Sequence, residues 1–204
     1  MRQYSGIVCL TIMLLMVIAR SASAQGTTTV ISIQPSTLEI PSPNQVFKVN
    51  VTVQNVQNLA LWQIFIEFDP NVLECQNASI PADNIFAGKA IIAPDPVIDN
   101  DAGTVLYGAS VFPMVGVSGS GILCQIEFKA KVEGISQLHI VTYDEEPEKT
   151  FCTKLEDPDG ERIQYEAIDG EVTIIPENIL LIAIPALTLT MTVAIIRKKR
   201  SLKP

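Results

Sequence analysis

The sequence predicts an all-β domain, an antiparallel β-sandwich of roughly seven to ten short strands, placed between two apolar segments at the chain ends. Short runs of alternating apolar and polar residues recur through residues 25–175, which is typical of strands that bury one face. Proline, glycine, asparagine and aspartate separate these runs, and these residue types favour turns. Helical periodicity is absent between residues 25 and 176, so strands are expected throughout this part.

The individual strands follow from these runs. The clearest is residues 61–68, where Trp62, Ile64 and Ile66 share one parity with Phe68 and are therefore predicted to face the core. The following Asp-Pro-Asn ends this strand, because proline has no N–H to give to a ladder. Strands are predicted over residues 28–34, 45–54, 61–68, 103–110, 121–131, 136–141 and 170–175, with weaker patterns around Leu73, around Ile91 and over residues 163–167.

The first apolar segment is predicted to be a secretory signal peptide over residues 1–24. Arg2 supplies its positive charge, residues 6–19 form a short apolar core, and Ala-Ser-Ala at residues 22–24 matches the small-residue cleavage pattern. The mature chain is therefore expected to begin at Gln25. The alternative is an uncleaved membrane anchor, which the short apolar core and the cleavage pattern disfavour.

The second apolar segment, residues 179–196, is predicted to be a transmembrane helix. Its uncharged residues would span ~27 Å as a helix, close to the ~30 Å of a hydrocarbon core. The basic tail at residues 197–204 is expected in the cytoplasm by the positive-inside rule, and a lipid-anchor signal would lack it. We therefore expect a single-pass type I protein of the cell membrane, with an extracellular domain over residues 25–175 and a short linker at residues 176–178.

The predicted extracellular domain is strongly acidic. All 22 acidic residues lie between Glu39 and Glu177, whereas seven of the 14 basic residues do, which gives this part a net charge of −15. Such a surface repels nucleic acid and anionic lipid, so no nucleic-acid partner is expected. It favours a basic partner or multivalent cations, although solubility alone is the simpler explanation.

Four motifs in chain order resemble the cohesin domain, the β-sandwich receptor that holds dockerin-bearing proteins in cellulosomes and on cell surfaces. Residues 68–74 read F-D-P-N-V-L-E after a strand, and residues 117–131 place V-S-G-S-G before the strand I-L-C-Q-I-E-F-K-A-K. Residues 99–105 (D-N-D-A-G-T-V) are similar to the family's acidic hairpin, and residues 169–174 (D-G-E-V-T-I) to its terminal strand. The resemblance implies a jelly-roll sandwich of about nine strands. It also implies non-covalent docking of a dockerin-like or other surface protein.

The resemblance further implies that one flat sheet face carries the partner contacts. We assign residues 61–68, 103–110 and 121–131 to that face. Parity then predicts the partner-binding side chains on it, which are Gln63, Phe65, Glu67, Leu123, Gln125, Glu127, Lys129 and Lys131. Phe65 and Leu123 are apolar groups on a polar face, so they are either interface anchors or ordinary half-covered sheet residues. Charge reversal at the two lysines is expected to weaken the partner's binding.

The core side of the last of these strands is predicted from the opposite parity. Its members are Ile122, Cys124, Ile126 and Phe128. With the leader removed, Cys75, Cys124 and Cys152 remain, and three cysteines cannot all pair internally. One disulfide and buried free thiols both stay open. Asn50 and Asn77 begin N-x-S/T sequons and are candidate glycosylation sites.

Two acidic segments are candidate sites for a structural calcium ion. Their aspartates are Asp99, Asp101, Asp157 and Asp159. An EF-hand loop needs glycine at its sixth position, but counting from the first aspartate of each segment gives Thr104 and Arg162. Hairpin turns are therefore the better prediction, and no cofactor is expected. Dockerins carry paired calcium loops of this type, so the chain resembles the receptor and not its ligand.

The residue types also argue against an enzyme. The domain contains one histidine, His139, which is most simply a strand residue, so a zinc site with several histidines is out of reach. Polysaccharide binding is the stronger alternative, because some sugar-binding modules share this sandwich and present coplanar exposed aromatic rings. Trp62 is predicted in the core, and Tyr107, Tyr143 and Tyr165 fall in separate segments. A structural surface-layer or adhesin subunit is the third alternative.

Overall fold

The structure is a computed structural model, and it describes residues 28–145 and 151–176. These residues form thirteen strands and no helix. The strands are β1 (Val30–Gln34), β2 (Thr37–Ile40), β3 (Val46–Leu59), β4 (Leu61–Glu67), β5 (Leu73–Ser79), β6 (Ala90–Ile92), β7 (Val97–Asp99), β8 (Thr104–Phe112), β9 (Val117–Ala130), β10 (Gly134–Ile140), β11 (Lys154–Glu156), β12 (Glu166–Ile168) and β13 (Gly170–Ile174).

Two segments predicted from the sequence fall elsewhere. The signal peptide over residues 1–24 and the transmembrane helix over residues 179–196 both lie outside the described residues. Within the part that is described, no helix is long and apolar enough to cross a membrane.

The strands form two facing sheets, as the predicted all-β sandwich requires. The larger sheet has the order β2-β13-β10-β4-β8-β6, and β11 and β7 add to the free edges of β4 and β8. The smaller sheet has the order β12-β1-β3-β9-β5. The buried cluster between them runs from Ile31 to Ile174, so this span closes a hydrophobic core by itself.

The predicted antiparallel pairing is wrong at two places. β1 pairs with β12, and β2 pairs with β13, in parallel. The reason is that the chain passes from the smaller to the larger sheet both between β1 and β2 and, at Asp169, between β12 and β13. The first two strands therefore run alongside the last two in the same direction, β1 beside β12 and β2 beside β13. The strands β2, β7 and β11 were not predicted, because three or four residues are too few to show an alternation.

The alternation predicted for residues 61–68 is confirmed. Trp62, Ile64, Ile66 and Phe68 are buried, and the residues between them are not. After β4 the chain turns towards the smaller sheet, where the Asp69 carbonyl oxygen accepts hydrogen bonds from later amides at 2.9 and 3.1 Å. The F-D-P-N-V-L-E segment therefore connects the two sheets as part of the scaffold.

Gly103 supports this turn from the neighbouring hairpin. Its φ is +71°, and a β-carbon there would lie 2.2 Å from the carbonyl oxygen of Phe68. The Phe68 amide donates to the Gly103 carbonyl oxygen at 2.8 Å. Only glycine combines this conformation with so close an approach.

The assignment of residues 121–131 to the same sheet face as β4 and β8 is wrong. These residues belong to β9, which pairs with β3 and β5 in the smaller sheet. Alternation shows which residues of a strand share a face, but it does not show which sheet the strand joins. The outer faces of β9 and β4 consequently point to opposite sides of the domain.

The prediction that Leu123 faces outward is also wrong. Val51 pairs with Cys124, and Thr52 pairs with Ile122, so Leu123 is an extra residue in a β-bulge. The bulge turns two consecutive side chains inward, and Leu123 and Cys124 are both completely buried. Ile126 and Phe128 are buried as predicted, whereas Ile122 is half-buried.

Of the two possibilities for the cysteines, a disulfide or buried free thiols, the structure shows buried free thiols. Cys75, Cys124 and Cys152 are all buried and unpaired. Burial is the main cause that raises the pKa of the Cys75 thiol to about 12, and burial also raises the pKa of Cys124. The thiols of Cys75 and Cys124 therefore act as small apolar core groups and stay protonated at neutral pH.

Candidate docking face

The outer face of the larger sheet carries a continuous row of apolar side chains. The register places Val97 beside Leu106 and Leu106 beside Phe65. The ring of Phe151 follows, with its centroid 6.3 Å from that of Phe65. Val97 and Phe151 are 62 % and 52 % exposed, and the other two are half-buried. We call these four residues the apolar row.

Hydrogen bonds fix the segment that carries Phe151 onto β4. The Phe65 amide donates to the Thr153 hydroxyl oxygen at 3.0 Å, and this hydroxyl donates to the Phe65 carbonyl oxygen at 3.3 Å. The Gln63 side-chain amide donates to the Cys152 carbonyl oxygen at 2.8 Å. Thr153 and Cys152 are buried, so the apolar row is held in place by the fold. Gln63, predicted to bind a partner, already uses its amide in this support.

An acidic row runs beside the apolar row. The register aligns His139, Glu67, Thr104 and Asp99 across four strands. Glu67 and Asp99 are exposed, and among the described residues neither has an ion-pair partner within 4.0 Å. Two carboxylates are therefore free to meet a cation directly next to an apolar strip.

His139, at one end of the acidic row, also contacts two further carboxylates, those of Asp169 and Glu145. Its Nδ1 lies 2.7 Å from Asp169 Oδ2, and its Nε2 lies 3.6 Å from Glu145 Oε2. The hydrogen bond with Asp169 is the largest cause that raises the pKa of His139 above its ordinary value, against a smaller opposing effect of burial. A hydrogen bond from the Thr142 amide is the main cause that lowers the pKa of Glu145.

The remaining predicted site residues lie on the other side of the domain. Gln125, Glu127 and Lys129 line the outer face of the smaller sheet, and Lys131 follows β9. There Lys48 Nζ lies 3.4 Å from the Glu127 carboxylate, and the Gln125 amide donates to Asn50 Oδ1 at 3.0 Å. The Lys131 ammonium donates to the Pro70 carbonyl oxygen at 2.6 Å. These four residues do not form one site with Gln63, Phe65 and Glu67.

The two outer faces differ in charge. The strands of the larger sheet carry five acidic residues and one lysine. The acidic residues are Glu39, Glu67, Asp99, Glu156 and Glu171, and the lysine is Lys154. The strands of the smaller sheet carry three acidic residues and two lysines. The larger sheet therefore presents the surface that electrostatically fits a basic partner.

Sequence reasoning missed three members of the apolar row. Leu106 shares the outward parity of residues 103–110 and was therefore detectable. Val97 lies in a strand of three residues, and Phe151 lies outside any strand. Neither carries an alternation that would mark its direction.

A cohesin-domain family model matches residues 31–174, which include both sheets and the whole buried cluster. This chain belongs to the cohesin family. Cohesin domains are non-catalytic modules that bind dockerins by protein–protein interaction. No curated protein sequence matches the chain.

Solved cohesin structures share this fold at low sequence identity. A type II cohesin domain from the cellulosome of Acetivibrio cellulolyticus is 18% identical, with a TM-score of 0.58 over 72% of this chain and 95% of that one. A non-cellulosomal cohesin from the archaeon Archaeoglobus fulgidus is 18% identical, with a TM-score of 0.54 over 73% and 92%. A chain of a type I cohesin–dockerin complex from Clostridium thermocellum is 15% identical, with a TM-score of 0.55 over 73% of this chain and 100% of that one. These likenesses support the fold.

The acidic segments of this cohesin domain form turns, as predicted. Asp99 Oδ1 accepts the amides of Asp101 and Ala102 at 3.0 and 2.9 Å in the hairpin between β7 and β8. Asp157 Oδ1 accepts the amides of Asp159 and Glu161, both at 2.9 Å. Within the described residues no group of three or more His, Cys, Asp or Glu side chains is arranged to hold a metal ion.

The tryptophan and tyrosine rings of the described residues pack against other parts of this cohesin domain. Trp62 packs edge-on against Tyr107 in the core, with ring centroids 5.7 Å apart. The Tyr165 hydroxyl donates to the Thr153 carbonyl oxygen at 2.8 Å, and the Arg162 guanidinium covers the ring of Tyr143 at 3.3 Å. These four rings do not lie in one plane on an exposed sheet face, which is the arrangement that the polysaccharide-binding alternative predicts.

Proposed function

We propose that the protein is a membrane-anchored, extracellular cohesin module that docks a dockerin-like protein through the outer face of its larger sheet. The observation that carries this proposal is the apolar row beside the acidic row. Val97, Leu106, Phe65 and Phe151 offer apolar surface in the middle of a strand face, where interface anchors concentrate. Glu67 and Asp99 at its border select for a basic partner and steer its approach.

Phe65 is the expected anchor of this interface. It lies in the centre of the apolar row, between Leu106 and Phe151, and its backbone is held on both sides. A fixed aromatic side chain loses little conformational entropy when a partner covers it. Truncation of such an anchor typically costs about 2 kcal/mol or more of binding free energy.

The short distance to the predicted membrane segment supports an upright orientation. β13 ends at Ile174 and pairs there with Gly134, so the chain leaves the domain at this end. Residues 175–178 would reach at most ~14 Å in an extended conformation. The strands would then point away from the bilayer, and the docking face would be open to a partner approaching from the side.

The two sequons are compatible with this proposal. Asn77 is exposed on the edge strand β5, and Asn50 is half-buried in the centre of β3. Both belong to the smaller sheet. A glycan on either asparagine would cover that sheet and leave the docking face accessible.

The experiment is a binding titration with purified partners. The full chain in detergent micelles is titrated with dockerin domains encoded in the same genome, with matched cell-wall polysaccharides, and with itself. Saturable 1:1 binding of a dockerin, without binding of polysaccharide, is the expected result. Binding of polysaccharide alone would replace the docking proposal by the sugar-binding alternative, and self-association alone would replace it by a structural surface subunit.

A further inference from the structure

A groove lies on the docking face beyond the apolar row, on the side away from Ile174. It has a volume of about 230 Å³ and passes over Gly108. Leu61, Ile92 and Pro94 supply its apolar walls, and Gln63 and Ser110 supply its polar ones. Ile92 is 59 % exposed, so this apolar surface is open to solvent.

Gly108 makes the floor of the groove. It occupies an outward-facing position of β8 between Leu106 and Ser110. A β-carbon there would lie 2.9 Å from the Trp62 carbonyl oxygen and 3.5 Å from the Gln63 α-carbon. Glycine therefore lets the backbones of β4 and β8 come to the surface, and a side chain of another molecule can lie where a side chain of this one would otherwise be.

The volume of the groove fits one bulky side chain. An engineered apolar cavity of ~150 Å³ binds benzene, so a groove of 230 Å³ accommodates a phenyl ring or a branched aliphatic side chain. Burying such a group removes apolar surface of both molecules from water, which favours binding.

The charged side chains at the rim of the groove indicate which residue of a partner fits next to the apolar side chain in it. Asp95 follows Pro94 and is exposed, and Glu156 pairs with Leu61 on the opposite wall. Among the described residues neither carboxylate has an ion-pair partner within 4.0 Å. Two cations lie near this rim: Lys154 beside Gln63, and Arg162, which pairs with Glu156 in a β-bridge and covers the ring of Tyr143 with its guanidinium. Neither cation forms an ion pair with Asp95 or Glu156, so both carboxylates are open to a cation of a partner.

We infer that this groove is an anchor site for a partner segment that presents one bulky apolar side chain next to a lysine or arginine. The apolar side chain lies over Gly108 between Leu61 and Ile92, and the cation meets Asp95 or Glu156. The inference rests on the proposed docking function and adds the chemistry of the partner. It extends the contact surface from the apolar row to the end of the domain farthest from Ile174.

The test uses three short peptides that differ in one residue. Backbone amide shifts of the full chain in detergent micelles are followed by NMR during titration with acetyl-Phe-Arg-amide, acetyl-Phe-Glu-amide and acetyl-Gly-Arg-amide. The first is expected to bind in the millimolar range, with shifts confined to the surroundings of Gly108. The glutamate peptide is expected to bind about threefold more weakly, and its difference from the arginine peptide is expected to disappear at high salt. The glycine peptide lacks the apolar side chain and is expected to bind at least about tenfold more weakly.

Two groove variants and a matched control test whether the peptide binds in the groove over Gly108. Ser110→Phe fills the groove from its rim and is expected to abolish these shifts, and Ile92→Ser removes an exposed wall and is expected to weaken binding. Gln54→Phe places the same ring at an exposed position of β3 in the smaller sheet and is expected to change nothing. Dispersed shifts with acetyl-Phe-Arg-amide, or unchanged binding to both groove variants, would overturn the inference.

The outcome is separable from that of the proposed function. A chain that binds this peptide over Gly108 but no dockerin would contradict the docking proposal and leave the groove as a site. A chain that binds a dockerin equally well as wild type and as Ser110→Phe would contradict the groove alone.

Discussion

His139 shows how a single residue couples the docking face to pH. Its ring faces three carboxylates, those of Asp169, Glu145 and Glu67. Asp169 lies between β12 and β13. One of its carboxylate oxygens lies 2.7 Å from His139 Nδ1, and the other accepts the Ile140 amide at 2.8 Å. The protonated imidazole therefore ties β10 to the chain that follows β12.

This arrangement predicts a stability contribution that depends on pH. The folded-state pKa of His139 lies above its ordinary value of 6.5. The contribution is therefore complete below pH 6.5 and is lost as the pH rises through the folded-state pKa. Urea unfolding of wild type and His139→Gln is expected to differ by less than about 1 kcal/mol at low pH, because the pair is partly exposed, and the difference is expected to vanish at high pH. A difference that is constant with pH would contradict this role.

At the scale of single elements, β9 separates what the sequence can predict from what it cannot. The alternation of Ile126 and Phe128 correctly indicates a strand with one buried face. The bulge at Leu123 is set by pairing with β3, and the membership of the smaller sheet is set by pairing with β3 and β5. Both are long-range pairings, and neither changes the local pattern of residue types.

Because the bulge buries Leu123, we expect its truncation to destabilise the domain strongly, whereas parity alone would place this side chain on the surface. Leu123→Ala is expected to lower the free energy of unfolding by about 2–5 kcal/mol, because it leaves a cavity in the core. Lys129→Ala, on the outward face of the same strand, is the matched control and is expected to cost less than about 1 kcal/mol. Chemical denaturation at constant pH measures both. Equal costs for the two variants would mean that Leu123 does not contribute to the core.

At the scale of the whole molecule, the sandwich divides the surface into two faces with different properties. The larger sheet exposes the apolar row, the acidic row and the groove over Gly108, whereas the smaller sheet pairs Lys48 with Glu127 and Gln125 with Asn50. The fold was predictable because most strands show a local alternation, and only the short strands β2, β7 and β11 do not. The docking face was only half predictable, since Phe65 and Glu67 follow from parity but Val97 and Phe151 arrive by tertiary pairing.

The central claim is that this cohesin domain docks its partner on the larger sheet and not on the smaller one. The most direct measurement is the affinity for a dockerin by calorimetry, compared between Phe65→Ala and the double variant Lys129→Glu/Lys131→Glu, with circular dichroism as the control for folding. We expect Phe65→Ala to lower the affinity at least about tenfold and the double variant to change it by less than about threefold. Loss of affinity in the double variant, with Phe65→Ala binding like wild type, would place the interface on the smaller sheet and contradict the account.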